Sequence, residues 1–547
     1  MAFKFVRKPL IASLCAVLFV LAGCSSDTGT SENAENEGKA AFDLWLGWAA
    51  TVNNNSLIQQ YWRDTDPKVE VKTEAAQGDA TTALNLKLNT GGFKDAALFG
   101  RSTTVDNAMR KSNLLMPLEQ YFDMPDKYPN LAQIPKEYLE QMKDGEGHIW
   151  SIPTYFDRDP VDPWKGWASN SWFVRSDILE KTGLKESDLQ TIAGIETYLE
   201  KASELTDESG KKLLPLGILI DSNDENAVLA SFGVTTAAAG GITPVSEKDG
   251  QIVFQYEDPG YKQAYAWLNK AYREGWLDPE SLTDKKERYT EKNKSGRYAM
   301  NAGSFWNLDA SLWEQLNGPT APGWFYAPIA FPKVEGIDRL GTSQVINPYP
   351  AYDTYVSKNT KNIDAILKFY DYALGTDPAQ GFAVSEGPEG KYWGWTGEPY
   401  GKWDYIDADY KEKRNAGDAA KKAGLTPELW QITNYGKEWY AWWNYGGGEY
   451  KGASKTAEFS EKIGEMGSTR VAEPYDQVKP GSGGAWERYG PELESVRKEY
   501  KAKLILAKDD AEFEKAWTDF NSAMEARAHW SELKQEWNDT YQTMISK

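Results

Sequence analysis

Two histidines, His148 and His529, and two cysteines, Cys15 and Cys24, are all that this 547-residue chain offers of the side chains most used as metal ligands, nucleophiles and bases near neutral pH. A histidine-rich metal site is therefore unavailable, and a Ser-His-Asp constellation has only two possible bases. His148 lies beside an expected strand in "GEGHIW" and His529 beside Trp530 in a helical tail, so both read as structural. No GxxxxGK[ST] phosphate loop occurs, so the chain has no such means of hydrolysing ATP. What is abundant is 81 Asp and Glu, 23 Trp and 30 Tyr. Two carboxylates set about 5 Å or roughly 6.5–9.5 Å apart cleave glycosidic bonds. Trp and Tyr present flat apolar faces with a polar edge, which suits a sugar ring, although many such residues simply line a core.

The elements that must carry these residues begin after a distinct leader. Lys4, Arg7 and Lys8 precede an apolar run from Leu10 to Leu21, too short for the roughly 20 residues of a membrane span and typical of a secretory signal. It ends in Leu21-Ala22-Gly23-Cys24, which resembles the lipobox of bacterial lipoproteins. That resemblance implies cleavage after residue 23 and a diacylglycerol on the sulfur of Cys24. Cys24 would then be the only cysteine left, so no intramolecular disulfide can form and stability must come from a large buried core. Residues 24–41 are mostly polar and hold almost no apolar surface, as expected of a flexible tether. The net charge of -20 disfavours nucleic acid and anionic lipid surfaces as partners.

The body opens on "FDLWLGW", a short strand whose end delivers Trp48 and Asn53 to a loop. A helix near Ser56–Trp62, a strand in "VEVKTEAAQ", a helix in "TTALNLKLNTGG" and a strand in "DAALFGRST" follow. This alternation predicts an α/β domain, in which ligands collect beyond the carboxyl ends of strands. Trp48 and the Gly100-Arg101-Ser102 turn therefore mark a candidate site. Further strands are expected in "GHIWSIPTYFD", "NSWFVR", "GRYAMNAGSFWN", "GWFYAPIAFP" and "PYPAYDTYVSKN". Ser176 is placed to cap a helix that Gly183 ends, and Tyr261, Ala264, Tyr265, Leu268 and Tyr272 form the apolar stripe of another. Residues 407–427 read as a polar, exposed excursion, and the tail from about Pro491 as helices covering a lobe. No tandem repeat and no second long apolar segment is present.

The order of these motifs, above all "YKQAYAWLNKAYREGWLDPES" before "GRYAM", and the late "YVSKNTKNIDAILKFYDYALGTDPAQGFAVSEGPEGKYW", resembles the extracellular solute-binding lipoproteins of ABC importers, carbohydrate type, in particular the large members of the maltodextrin-binding-protein-like family. The resemblance implies an α/β, two-lobe periplasmic-binding-protein-like fold (type II) with a hinge and additional C-terminal helices. It places residues 42–154 and 341–374 in an N-lobe and residues 155–340 and 375–547 in a C-lobe. Ligand would be held in the cleft and closure would present it to a membrane permease. At the expected strand ends and crossings it implies stacking by Trp48, Tyr155, Trp306, Tyr349 and Trp393. Polar contacts would come from Asn53, Arg101, Asp157, Arg158, Asn301 and Asp353, since a planar carboxylate or guanidinium engages two neighbouring hydroxyls at once. Arg101 and Arg158 could instead read a uronic acid or form structural ion pairs.

Alginate-binding relatives carry a calcium loop whose counterpart here, "LTDESGKKLLP", has too few alternating oxygen ligands for an ion that takes six to eight. No metal and no cofactor are expected. The resemblance further implies a monomer on the extracytoplasmic face of the cell membrane, attached through its lipid alone, with an oligosaccharide ligand, ABC permease subunits as partners and no enzymatic activity. The alternative class is a cell-surface glycosidase or lyase. An adhesion scaffold would show repeats or Ig-like strand patterns, which are missing.

Overall fold

The computed structural model describes residues 40–546 apart from 79, 145, 160–169, 208, 237–243, 318–320, 343, 376–382, 397–402, 416–418, 428, 430, 433, 436–461, 467–468, 479 and 481–482. The signal segment, Cys24 and the tether up to Lys39 lie outside the described residues. No described helix is long and apolar enough to cross a membrane.

Two sheets organise the body. In the first, the strands run in the order Val69–Ala75, Ala40–Leu46, Ala96–Gly100, Tyr352–Val356, Ser151–Thr154. Ala40–Leu46 pairs in parallel with both neighbours, whereas Tyr352–Val356, arriving some 250 residues later, is antiparallel to its two. The strand Val69–Ala75 alternates buried and more exposed residues, as a half-covered sheet requires. Its preceding helix, Leu57–Asp64, is capped by the Ser56 hydroxyl and buries Ile58 and Trp62 on the sheet. The helix Ile363–Ala373 adds Ile366, Phe369 and Tyr370 to the same core.

The second sheet runs Tyr326–Ile329, Asn170–Arg175, Tyr298–Ser304, Leu214–Gly217. Its central strand Tyr298–Ser304 is buried at every position but the last, because helices cover it on both sides. The helix Pro259–Arg273, capped by Asp258, supplies Tyr261, Ala264, Tyr265 and Leu268 to this core as its periodicity predicts. The C-terminal helices Ala485–Ile505, Asp510–Ala526 and Trp530–Ile545 complete it with Leu493, Val496, Phe520, Leu533 and Trp537.

Four expectations are corrected. Ser176 begins its helix without capping it: its hydroxyl instead accepts the Phe325 amide of the neighbouring strand region, while Gly183 does end the helix at φ 72°. The C-terminal helices start at Ala485 and run through Pro491, the packing of Leu493, Val496 and Leu504 outweighing a proline cost of about 3 kcal/mol. Residues 407–427 are not an exposed excursion: the helix Ala408–Asn415 buries Tyr410, and Leu425 is buried at the end of the next helix. Finally, Val384, Tyr392, Tyr410, Leu425, Leu429 and Ile432 pack into the first core, so these residues lie with the first sheet rather than with the second.

Candidate functional site

Register brings the candidate residues to one edge. Tyr352 lies opposite both Gly100 and Thr154, so the carboxyl ends of Ala96–Gly100 and Ser151–Thr154 and the start of Tyr352–Val356 fall together, beside the end of Ala40–Leu46. Gly47 is needed at that end because a Cβ there would lie 2.1 Å from the Phe99 ring. Trp48, the next residue, is half-buried and meets Tyr352 edge to face at 5.9 Å. Tyr155 also meets Tyr352 edge to face, at 5.8 Å and 88°. Its backbone is left-handed at φ 56°, an uncommon state for a non-glycine residue, and it links the strand Ser151–Thr154 to Phe156–Asp157.

Tyr155 also packs against an aromatic hairpin made by Trp393–Trp395 and Trp403–Tyr405. Within it Trp393 is fully buried, gives its indole N–H to the Gly387 carbonyl at 2.9 Å and touches Trp395 and Trp403 edge-on. The expectation that Trp393 stacks ligand is therefore corrected. Its burial fixes the hairpin, and the half-buried Trp395 and Tyr405 are the members that reach the surface. Behind the hairpin, buried Glu386 takes a bidentate contact from Arg414 and hydrogen bonds from the Tyr405 and Tyr410 hydroxyls. Sequence reasoning missed Tyr352, Trp395 and Tyr405. For Trp395 and Tyr405 the available signal was the aromatic density of "KYWGWTGEPYGKWDY", and for Tyr352 its place at the start of the expected strand in "PYPAYDTYVSKN".

The polar candidates divide. Arg101 donates from Nε to Asp353 at 2.9 Å, and Asp353 also accepts the Ser151 hydroxyl at 3.2 Å. Both side chains are largely buried, at 13% and 3% exposed, so this is an ion pair within the sheet edge. Arg158 spans to the carbonyls of Leu374 and Gly375 at 3.0 and 2.7 Å, just past the helix Ile363–Ala373. Burial holds its pKa below the ordinary arginine value. Asp157 is corrected to a structural role: buried, it accepts the Asp159 amide, and its own amide and carbonyl join Pro348 and the Tyr138 hydroxyl. Asn53 is exposed and accepts the Asn55 amide in a turn. Tyr349 is half-buried against Tyr138 at 5.3 Å.

At the second sheet, Asn301 is also corrected. It is buried, accepts the Tyr289 hydroxyl at 2.8 Å and donates to Asn293 at 2.9 Å, which makes it a core residue. Trp306 sits half-buried at the start of the helix Phe305–Asn317, its ring 4.5 Å from Phe305. Beside it, Asp224 accepts from the Ser304 amide and from Asn307 at 2.8 Å. Burial pushes its carboxyl up to about 8, against the pull of those two donors.

A cavity of about 750 Å³ opens at the opposite edge of the second sheet, next to Arg175, Leu214 and Arg297. It is lined by charges, and its Trp324 is already covered by the Arg175 guanidinium at 4.3 Å. Nearby, Lys292 is held by Asp278, Glu280 and Asp284 at 2.6–2.7 Å, an ammonium in the centre of the one carboxylate cluster that could hold an ion among the described residues. Asp207, in the stretch expected to lack calcium ligands, accepts the Ser209 hydroxyl and the Ser209 and Lys211 amides and pairs with Arg297; the Ser209 hydroxyl first, and then Arg297 and the amides, hold its carboxyl well below the usual range. Both histidines join carboxylates: His148 meets Glu119 at 2.9 Å, and His529 meets Glu532 at 3.0 Å while stacking on Tyr489.

No protein-family model matches the chain. The sequence is 24% identical over 323 residues to the fructooligosaccharide ABC transporter substrate-binding protein FusA of Streptococcus pneumoniae, covering 55% of this chain and 58% of that protein. Solved structures align over nearly all of it. An HMO binding ABC-transporter associated solute binding protein from Bifidobacterium longum infantis gives a TM-score of 0.67 at 17% identity over 93% of this chain and 100% of the other. The alginate-binding protein AlgQ2 without calcium gives 0.67 at 14% over 92% and 98%. These likenesses place the chain in the two-lobe α/β fold of solute-binding proteins.

Proposed function

We propose that this chain is the extracytoplasmic solute-binding component of an ABC importer, which captures an oligosaccharide between its lobes and delivers it to membrane permease subunits. One observation carries the reading: Trp48, Tyr352, Tyr155 and the Trp395/Tyr405 hairpin converge on the carboxyl edge of the first sheet, where α/β folds bind ligand. Half-buried aromatic rings offer the apolar contact that a sugar face needs, and hydroxyls and peptide groups nearby supply hydrogen bonds. FusA, which shares sequence over part of its length, is itself a fructooligosaccharide-binding component, and its structure with kestose aligns at a TM-score of 0.67.

On this reading the first lobe takes residues 42–154 and 341–374 together with the stretch carrying Val384, Tyr392, Tyr410, Leu425, Leu429 and Ile432, and the second lobe the remainder. The side chains proposed to meet ligand are Trp48, Arg101, Tyr155, Tyr349, Tyr352, Trp395 and Tyr405 on the first side and Trp306 on the second, with Asn53 on the adjoining loop. Cys24 carries the lipid and residues 24–41 act as slack between membrane and body. A binder is favoured over a glycosidase because Asp353 and Glu386 are each committed to a guanidinium. Calorimetric titration of the full chain with a panel of oligosaccharides, followed by chromatography of the recovered sugar, tests the proposal. Saturable heat with intact sugar is expected; product formation makes the protein an enzyme, and no heat with any glycan rejects the reading.

A further inference from the structure

We infer that Asp224 is a positioning residue for glycan capture: one buried carboxyl oxygen grips the chain on both sides of Trp306 and so fixes the ring that the second side of the site offers to ligand. The inference rests on the proposed function, in which Trp306 meets the sugar. The strand Tyr298–Ser304 passes directly into the helix Phe305–Asn317, and Trp306 is the second residue of that helix. Oδ1 of Asp224 accepts the Ser304 amide at 3.2 Å, two residues before Trp306, and the Asn307 side-chain amide at 2.8 Å, one residue after it. The same Asn307 nitrogen lies 2.9 Å from Oδ2. Between them Phe305 is buried in the core, its ring 4.5 Å from that of Trp306. Ser304, Phe305 and Asn307 are thus all held, and the half-buried Trp306 is carried among them.

The sequence makes room for this grip. Gly303 has φ 144°, and a Cβ there would lie 2.3 Å from the Asp224 Cγ, so a larger residue would drive the carboxyl away from the strand end. Burial pushes that carboxyl up to about 8, which leaves it largely uncharged near neutral pH; a carbonyl oxygen has two lone pairs, enough for both donors. Asp224 is itself supported from behind. Oδ1 of the neighbouring Asn223 accepts Arg497 at 3.1 Å and Lys501 at 2.9 Å, and Lys501 also pairs with Glu225. Both cations belong to the helix Ala485–Ile505, so the C-terminal helices reach the site through the Asn223–Glu225 turn. A ring mounted on such a support is already ordered when the sugar arrives, which spares the entropy of fixing it on binding.

Calorimetric titration of the full chain with kestose and with each member of the oligosaccharide panel tests this as a double-mutant cycle. Asp224→Ala removes the shared acceptor and should weaken binding about tenfold, no more than Trp306→Ala does. In the Trp306→Ala background the same change should alter affinity by less than about twofold, because its effect passes through the missing ring. Asn307→Ala, which suits a helix and takes away one of the two donors, should show a loss in the same direction with the same dependence on Trp306, and it decides the matter if Asp224→Ala does not fold. Equal losses with and without Trp306 overturn the inference, as does wild-type affinity in Asp224→Ala. Trp306→Ala binding as tightly as the wild type also overturns it and leaves the transport reading intact, whereas failure of the wild type to bind any glycan rejects both.

Discussion

Replacing Lys292 by Met offers a direct measure of how the second sheet is held. The Lys292 side chain is 6% exposed, and its Nζ lies 2.7 Å from Asp278 and 2.6 Å from Asp284, whose side chains are 2% and 7% exposed. A third contact, to Glu280 at 2.6 Å, is half in solvent and adds little. Burial alone would lower the Lys292 pKa, but the three ion pairs outweigh it and hold it above the ordinary lysine value. The ammonium therefore stays charged at neutral pH, its contribution being complete below the unfolded value and lost only as pH rises through the raised one.

Methionine keeps the apolar stem and removes the charge, leaving two buried carboxylates within 4.8 Å of each other. Breaking a buried pair from one side costs about 3–5 kcal/mol, and the carboxylate repulsion puts this case toward the upper end. The cluster ties the loop between the helices Pro259–Arg273 and Lys286–Lys294 to the second of them, Leu277 of that loop bridges to Leu216, and Tyr298 on the central strand donates to Asp278 at 2.6 Å, so the loss should unfold the second sheet first. Urea unfolding followed by tryptophan fluorescence should show a lower midpoint for the variant at pH 7, with part of the loss recovered on acidification, which discharges the carboxylates. Millimolar calcium should also restore part of it in the variant and none in the wild type, because the ammonium already occupies the position. A variant as stable as the wild type at pH 7 would refute the idea that these carboxylates depend on Lys292.

Three further outcomes are expected. Trp393→Ala should cost about 3–5 kcal/mol of stability, since the side chain is fully buried, whereas Trp395→Ala should leave the unfolding midpoint nearly unchanged and weaken oligosaccharide binding roughly tenfold or more; equal effects of the two on stability would contradict the assignment of core and platform. Asp224, raised to about 8, contributes stability that is complete below about pH 4 and is lost as pH rises through about 8, so Asp224→Asn should flatten the fall in stability over that window, read by thermal unfolding at several pH values. Cys24→Ser should release the protein from cells into the medium without altering glycan affinity, and an unchanged membrane fraction on immunoblotting would argue against lipid attachment at this residue.

Much of the fold was legible because it depends on local chemistry. The strand Ala40–Leu46, the Ser56-capped helix after it, and the helix Pro259–Arg273 all follow from short-range alternation, 3.6-residue periodicity and capping. Where reading failed, a distant partner had decided the matter. The Ser176 hydroxyl was claimed by Phe325, and the polar-looking 407–427 stretch was drawn inward by Tyr410 and by the pairing of Arg414 with Glu386.

The same division runs through the site. Residue types and their nearness to strand ends marked Trp48 and Arg101 as candidates, and the resemblance added Tyr155, because a strand's end is a local property. Whether an aromatic ring faces solvent or core is not, since it depends on which surfaces meet after residues hundreds of positions apart are brought together. Tyr352 comes to lie between Gly100 and Thr154 only through sheet pairing, and Trp393 becomes a buried support because its indole is taken up by the Gly387 carbonyl and the Trp403 ring, while Trp395 on the same hairpin stays half-exposed. The sequence by itself determined the chemistry on offer, aromatic and acidic with few nucleophiles or metal ligands, and the order of its elements. Only the tertiary structure decided which charges cancel, because an ion pair such as Arg101 with Asp353 exists through the closure of a sheet and not through any spacing along the chain.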